Sequence, residues 1–318
     1  MIFYRKENLL NNFVLVNGTA RCGKSLISPI IASFERVEVE RVEEIFDLIS
    51  VSHHFKGMET DCAVNLLRTI ADGFIYDSYL SRNSNFRWSD HSSIFKSPNK
   101  ILYLKRLFKK EGPETVERII QEQPIFQSQG HDQMQFVKLL LQSWPGTFRM
   151  IEIIRDPIDQ IDAWRRRNWG VRYCTDPMAR TPCIKFNKQA VPFHAHGWEQ
   201  EYLEISPMDR MIKMLHSLQF GNRAAYELLN DGDKQKIRVI RFEDFVANTY
   251  EHVDQLAVFL NTVTTKTTNA AIHKQGCPRH QSQESKIKRY EIIRQEATAP
   301  YIKMVDEMIE DYKVDWGS

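Results

Sequence analysis

The chain has 318 residues, of which 42% are hydrophobic and 26% charged, so it is long enough for a sizeable core and is not disordered in composition. Its 43 basic and 41 acidic residues leave a net charge of +2, which argues against a general nucleic-acid binder. No apolar run approaches the roughly 20 residues of a membrane span. The N-terminal segment also lacks the apolar core of a signal peptide, so we expect a cytoplasmic protein with a single domain over 1–318.

The first predicted strand, Phe13–Asn17, leads into a glycine-bearing loop and then into a predicted helix from Ser25 to Phe34. This order of elements can cradle a phosphate, because backbone N–H groups converge on one anion and the helix N-terminus adds partial positive charge. Residues 18–25 also match the nucleotide-binding P-loop pattern G-x-x-x-x-G-K-S letter for letter. The segment therefore predicts a phosphate-rich ligand.

Further along the chain, runs of β-branched residues alternate with segments whose apolar residues recur at helical spacing. Asp156 is expected to cap one helix, and Asn248 with Glu251 to form a capping box at another. Strands separated by helices predict an α/β three-layer sandwich with a central, mostly parallel sheet. The predicted strands lie at 124–127, 150–154 and 237–242, and the predicted helices at 62–80, from 132, from 157 to about 168, from 207 to 232, and from 248.

Two long irregular regions, 81–99 and 169–197, carry several aromatic residues. Long loops in a compact domain are often functional, so we expect packed lids that bind the acceptor substrate; the alternative is surface insertions with a few buried anchors. The five cysteines include no Cys-x-x-Cys pair, which signals neither a zinc site nor a disulfide framework. Cys174 and Cys183 flank a proline-containing loop and are candidates for pairing, but the expected reducing compartment favours free thiols.

Three cationic segments follow predicted strands or helices. They are the loop Arg21–Ser25, Arg155 with the helix start at Asp156, and the cluster 278–280 followed by Lys286 and Lys288. In open α/β sheets, ligands bind at the carboxyl ends of the strands. Three separate cationic segments suit a ligand with phosphates at both ends better than a linear triphosphate.

With these motifs in place, the chain resembles the sulfotransferases that use 3′-phosphoadenosine 5′-phosphosulfate (PAPS). Arg21–Ser25 lies where that family has its 5′-phosphosulfate loop, and Ile153–Pro157 resembles its 3′-phosphate motif, a strand ending in Arg-Asn/Asp-Pro. His131 precedes Arg155 at about the distance at which many members carry a base histidine. Residues 240–245, with the helix ending at 259–261, resemble the late Arg-Tyr-Glu-Asp segment. The resemblance spans about residues 13–290.

The chain departs from the family pattern at three places. Ala163 stands where members usually have a serine that contacts the 3′-phosphate, so this contact is expected to weaken or to move to Arg165, Arg166 or Arg279. The late Arg-Lys-Gly loop is absent, and 278–280 is its nearest substitute. The usual threonines of the phosphosulfate loop are replaced by a lysine and a serine, which recreates the P-loop pattern.

The resemblance implies a PAPS-dependent sulfotransferase that transfers a sulfuryl group to a hydroxyl or amine without a metal. His131 is then the base, with Glu243 or Glu59 as alternatives. Arg21 and Lys24 stabilise the charge on the leaving group, and of the two only Lys24 could also donate a proton, because arginine stays protonated. The polar, tryptophan-containing loops favour a carbohydrate or another hydrophilic small molecule as acceptor. The residues expected to bind PAPS are Arg21, Cys22, Gly23, Lys24, Ser25, Arg155 and Arg279.

Two other classes stay open at this stage. A P-loop kinase or NTPase using Mg-ATP fits the letters of residues 18–25, but it needs an apolar strand that ends in an acidic residue. Phe74–Asp77 has such letters within a helical pattern, and the strand at 150–154 ends instead in Arg155. A catalytically silent nucleotide-binding module is the third class, because Ala163 departs from the family.

Overall fold

A parallel sheet forms the centre of the protein, whose computed structural model describes residues 2–90, 92–280, 283–314 and 316. Its five strands lie in the order β2-β3-β1-β4-β7, and every neighbouring pair is parallel. The other two strands, β5 and β6, form an antiparallel hairpin. The strands are β1 (Asn12–Asn17), β2 (Arg41–Val42), β3 (Ile125–Gln129), β4 (Phe148–Ile154), β5 (Cys183–Phe186), β6 (Gln189–Pro192) and β7 (Ile237–Arg241).

Helices cover both faces of the sheet. Alternate residues of β1 point to opposite faces: Phe13 and Leu15 belong to one buried cluster, and Val14 and Val16 to another. The α/β three-layer architecture expected from the sequence is therefore confirmed. The helices are α1 (Lys24–Ile31), α2 (Glu44–His54), α3 (Thr60–Tyr79), α4 (Lys100–Arg106), α5 (Pro113–Glu122), α6 (Val137–Ser143), α7 (Pro157–Arg165), α8 (Trp169–Arg172), α9 (Glu199–Glu204), α10 (Pro207–Glu227), α11 (Asp231–Lys234), α12 (Phe242–Ala247), α13 (Thr249–Phe259), α14 (Thr268–Lys274), α15 (Gln283–Glu296) and α16 (Ala299–Lys313).

The four predicted strands are all present, whereas several details of the helices differ from expectation. Helix α1 ends at Ile31 and not at Phe34, and α7 ends at Arg165 and not near residue 168. Helix α10 ends at Glu227, and Gly232 lies within the separate short helix α11. Asp132 does not start a helix, because its backbone is left-handed and a 3₁₀ turn separates it from α6. Asn248 makes no side-chain capping bond, whereas Asp156 caps α7 by accepting from Ile158 at 3.0 Å.

The order of the strands places a crevice at the carboxyl end of β1. From β1 the chain first builds β2 and β3 on one side and then β4 and β7 on the other. Connections that leave in opposite directions from neighbouring strands open a cleft where ligands bind in such sheets. The loop 18–25 follows β1 and therefore lies at this cleft.

The region 81–99 packs at the β2 edge of the sheet. Ile94 is buried with Val39 and Tyr103, and Phe95 packs against this cluster. Beneath it, Arg106 makes two hydrogen bonds to Glu38, at 2.7 and 2.9 Å, and both side chains are buried. The segment is thus anchored by Ile94, with Phe95 packed against the same cluster. Its role as a lid stays a prediction.

Two further findings bear on the sequence predictions. Cys174 and Cys183 form a disulfide, so the prediction that they remain free thiols is wrong; they are nine residues apart in a loop whose fold brings their Cα atoms to 6.1 Å. Within the described ranges, no helix has both the length and the apolar character that crossing a bilayer requires. A cytoplasmic location stays a prediction.

Candidate functional site

A cavity of about 670 Å³ opens at the carboxyl edge of the sheet. It is lined by most of the residues selected from the sequence, which come from the loops after β1, β3 and β4 and from the segment after α14. Those residues are Arg21, Gly23, Lys24, Ser25, His131, Arg155 and Arg279. The fold therefore brings together groups that are separated by up to 258 positions, from Arg21 to Arg279.

Two glycines shape the loop after β1. Gly18 has φ +138°, and a Cβ there would lie 2.4 Å from the carbonyl oxygen of Ile153. Gly23 has φ +119°, and a Cβ there would lie 2.2 Å from the ring of Phe242. Both positions exclude any larger side chain. Because α1 begins immediately after Gly23, the positive end of this helix lies at the cavity. Within its first turn, the Leu26 N–H donates to the carbonyl of Gly23 at 2.9 Å.

Helix α7 holds the same loop from the side. The indole Nε1 of Trp164 donates to the carbonyl of Ala20 at 2.8 Å, and the Gln160 amide donates to that carbonyl at 3.0 Å. Trp164 is itself buried. The phosphate-binding loop is therefore fixed to the element that follows Arg155.

The side chains of Cys22 and Lys24 are buried and support the loop after β1 from within. Cys22 is fully buried, and its N–H donates to the carbonyl of Thr19 at 3.2 Å, so it presents no group to the cavity. The Lys24 ammonium donates to the carbonyls of Gly18 and Thr19. Lys24 lines the cavity, but its charge is directed at the backbone of the loop.

Several guanidinium groups converge on this end of the cavity. Arg155 donates to the carbonyl of Arg21 at 2.8 Å and lies 4.8 Å from the ring centroid of Phe242. Partial burial, followed by repulsion from Arg167 and Arg155, lowers the pKa of Arg21. Positive charges this close repel one another, and an anionic ligand between them would relieve that repulsion.

The structure shows the positions of the three arginines that were expected to replace the missing serine contact with the 3′-phosphate. Ala163 is buried in α7, while Arg165 and Arg166 both pair with Asp162 and lie outside the cavity lining. Of the three expected substitutes, only Arg279 lines the cavity. It is joined by Arg167, which was not among the residues selected from the sequence.

His131 is held by an aspartate that sequence analysis did not select. Its backbone N–H lies 3.1 Å from Oδ2 of Asp47, and its Nδ1 lies 3.2 Å from the same oxygen. Burial is the main cause of a raised pKa of Asp47, and the contact with His131 opposes it. When Nδ1 donates to Asp47, Nε2 is the ring nitrogen that can accept a proton. The two residues are 84 positions apart, and no motif marks Asp47.

The two alternative bases lie elsewhere. Glu59 precedes α3, and Glu243 accepts a hydrogen bond from the hydroxyl of Tyr312. Among the described residues that line the cavity, neither appears. Asp77, the acidic residue considered for a kinase, lies within α3 and not at the end of a strand.

We name two sides of the cavity by their residues. The phosphate side comprises the loop 18–25, of which Ala20, Arg21 and 23–25 line the cavity, together with Arg155, Arg167 and Arg279. The loop side comprises 44–51, 131–132, 169–182 and 193–194, and it includes the aromatic residues Trp169, Tyr173 and Phe193. Nine residues of the irregular region 169–197 thus line the cavity, whereas no described residue of 81–99 does.

Several solved structures match this chain over most of its length. A sulfotransferase domain from the curacin biosynthetic pathway matches with a TM-score of 0.51 at 11% identity, over 96% of this chain and 99% of that one. A sulfotransferase domain from the Synechococcus PCC 7002 olefin synthase gives 0.47 at 9% identity, over 98% of each chain. A sulfotransferase from Alicyclobacillus acidocaldarius gives 0.38 at 11% identity, over 94% of this chain and 95% of that one.

No family model and no curated protein matches the sequence. The match to the curacin-pathway domain shows that this chain has the sulfotransferase fold. At this level of identity, the likeness establishes the fold alone, and the reaction has to be argued from the cavity.

Proposed function

We propose that the protein is a sulfotransferase that transfers a sulfuryl group from PAPS to a hydroxyl or amine of a hydrophilic acceptor. The observation that carries the proposal is the meeting of a phosphate-binding loop, Arg155 and a histidine base in one cavity. The sulfotransferase fold and the sequence motifs support it independently.

The phosphate side suits a ligand with two separate anionic ends. Arg21 and the start of α1 suit a 5′-phosphosulfate, while Arg155, Arg167 and Arg279 suit a 3′-phosphate. The lowered pKa of Arg21 is consistent with a cluster of cations that an anionic ligand would relieve. Cys22 contributes by filling the space beneath the loop.

The proposed reaction is a single displacement in which PAPS, when bound, supplies the sulfuryl group and the leaving 5′-phosphate. His131 takes the proton from the acceptor hydroxyl at Nε2 as the new oxygen–sulfur bond forms. Arg21 and the positive end of α1 stabilise the charge that remains on the phosphate oxygen when the old bond breaks. Lys24 adds a second charge or a proton there when its ammonium leaves the loop carbonyls.

The loop side is the proposed acceptor site, because His131 lies on it. Its aromatic walls and buried polar groups suit a molecule with both apolar faces and hydroxyl groups, as a carbohydrate has. The Mg-ATP alternative rests on the P-loop letters alone. The binding experiment that tests the sulfotransferase proposal therefore includes Mg-ATP as the competing ligand.

The test is calorimetric titration with the desulfated product, 3′-phosphoadenosine 5′-phosphate, against Mg-ATP. We expect micromolar binding of the former without added metal and much weaker binding of the latter. Arg155→Ala should weaken product binding by about 10- to 100-fold, the value of a lost charge-assisted hydrogen bond. Arg165→Ala removes a guanidinium outside the cavity and is the matched control.

Each other outcome has a distinct meaning. Preference for Mg-ATP would overturn the proposal in favour of a kinase or NTPase. Tight binding of the desulfated product with no sulfate transfer to a broad acceptor panel would identify a catalytically silent nucleotide-binding module.

A further inference from the structure

A pair of buried polar side chains on the loop side has no role in the steps described above. Asp132 follows His131 directly in the chain, and His194 lies on the turn after β6. Nε2 of His194 is 3.2 Å from Oδ2 of Asp132, and the two side chains are only 5% and 7% exposed, respectively. Both residues line the cavity.

Several polar atoms of this pair have no hydrogen-bond partner within the part of the chain that the structure describes. Neither ring nitrogen of His194 has a hydrogen-bond partner there, because the contact with Asp132 is not aligned as a hydrogen bond. Oδ1 of Asp132 also has none. Buried polar groups without partners cost folding free energy, and native proteins rarely keep them without a use.

The surroundings hold the pair in place. The ring of His194 lies 3.9 Å from that of Phe193 and 5.7 Å from that of Tyr173, between centroids. Asp132 has a left-handed backbone at φ +58°, an uncommon conformation that tends to occur at functional sites. The indole Nε1 of Trp169, which also lines the cavity, is likewise buried with no partner among the described residues.

We propose that Asp132 and His194 bind a second hydroxyl group of the acceptor, so that the substrate is a polyhydroxylated ring and not a monohydric alcohol or phenol. The inference rests on the proposed function, because it takes His131 as the group that receives the proton of the reacting hydroxyl. The carboxylate accepts from the second hydroxyl, the imidazole completes its hydrogen bonds, and Trp169 and Phe193 pack against the C–H faces of the ring.

A purely structural pair would behave differently. It would tie the hairpin β5–β6 to the end of β3 and would affect stability without regard to the acceptor. The two roles are therefore separated by a ratio of activities and not by the activity of one variant alone.

The test compares acceptors that differ in hydroxyl number. Phenyl glucoside, phenyl galactoside, phenyl mannoside and myo-inositol are the polyols, and cyclohexanol and phenol are the monohydric probes. With PAPS as donor, we expect the best polyol to exceed the monohydric probes in kcat/KM by at least about 100-fold, because a site built for a hydroxyl rejects analogues that lack it. Removing one hydroxyl other than the sulfated one should cost about tenfold or more.

Asp132→Asn and His194→Gln are the decisive variants, and both nearly preserve side-chain size. Each should reduce the polyol preference to less than about tenfold while leaving the affinity for 3′-phosphoadenosine 5′-phosphate within about threefold. Asp254→Asn makes the same chemical change on the exposed surface of α13 and should alter neither quantity. Equal use of monohydric probes by the wild type, or an unchanged preference in both variants, would overturn the inference.

Failure of the proposed function would be recognised separately. If the wild type bound no desulfated product and transferred no sulfate, calorimetry with the same polyols would decide the inference alone. Polyol binding that is lost in Asp132→Asn would support it, and absence of polyol binding in the wild type would overturn it.

Discussion

The phosphate side and the loop side of the cavity are built in different ways. The phosphate side follows the ends of β1 and β4, and its glycines are fixed by backbone contact with β4 and by the ring of Phe242. The loop side depends on α2 and on the long segment after α7, which is joined by an antiparallel hairpin and a disulfide. The phosphate side lies directly after two central strands, whereas the wall at 169–194 comes from a long segment outside the central sheet.

This difference predicts a separation of effects. Changes on the phosphate side should alter the binding of the donor, because the loop backbone and its arginines are part of the sheet edge. Changes on the loop side should alter the chemical step or the acceptor, with little effect on donor affinity. Each prediction below either separates the two sides or shows that they are coupled.

The largest effect is expected at His131. In His131→Ala, the rate constant kcat should fall by about 10²- to 10⁴-fold, the usual contribution of a positioned base. The affinity for 3′-phosphoadenosine 5′-phosphate should stay within about threefold, because its arginines are untouched. Steady-state kinetics and calorimetry measure the two quantities. His196→Ala is the control, since His196 is exposed and outside the cavity lining. A large loss of product binding would show that the two sides are not separate.

A smaller loss is expected at Asp47, which contacts His131 through two nitrogen atoms. Asp47→Asn retains the size of the side chain but no longer fixes the proton on Nδ1. We expect kcat to fall by about 10- to 100-fold, a cost common for groups that orient a functional histidine. The double variant with His131→Ala should be no slower than His131→Ala alone. Additive losses would show that Asp47 acts independently of His131.

Removing the disulfide tests how much it contributes to the stability and order of the loop side. Cys174→Ser with Cys183→Ser should lower the free energy of unfolding by about 2–3 kcal/mol, as expected for a short closed loop. The acceptor KM should rise by about threefold to tenfold, because residues 178–182 must then be ordered on binding. Donor affinity should not change. Cys62→Ser removes a free thiol outside the cavity and is the control. An unchanged acceptor KM would mean that the hairpin alone holds this wall.

The two sides also differ in how much of them can be predicted from sequence. The phosphate side is encoded by local sequence patterns, namely an apolar strand, glycines at fixed spacing and a cationic residue directly after a strand. Such patterns predicted Arg21, Lys24 and Arg155, and the structure brings all three to one cavity. The polar residues of β3 are buried too, although no apolar pattern marked Gln129 as part of a strand.

The loop side depends on contacts between distant parts of the chain. Asp47 reaches His131 across 84 positions, and His194 approaches Asp132 only because the hairpin folds back over the end of β3. Neither pair has a characteristic spacing. Arg167 could not be singled out for a related reason, since a run of three arginines at the end of a helix does not indicate which one faces a cavity.

The last prediction concerns Glu152, a fully buried residue of β4 beneath the phosphate loop. It accepts a hydrogen bond from Asn17, and burial raises the pKa of Glu152 from 4.5 to about 8. Between these two values the folded protein binds more protons than the unfolded chain does. The free energy of unfolding should therefore fall as pH rises from about 4.5 to about 8, by up to about 1.4 kcal/mol per pH unit, and should level off above that.

Glu152→Gln removes the ionisable carboxyl group. The amide has a similar shape, and its oxygen can still accept the hydrogen bond from Asn17. Urea unfolding at pH 5.5 and 7.5 should then show a smaller fall in the variant than in the wild type, whereas the exposed Glu114→Gln should leave the fall unchanged. An equal pH dependence in wild type and Glu152→Gln would show that Glu152 is ionised in the folded state. In that case its charge would offset the cations of the phosphate loop, and donor binding would have to be stronger in Glu152→Gln than in the wild type.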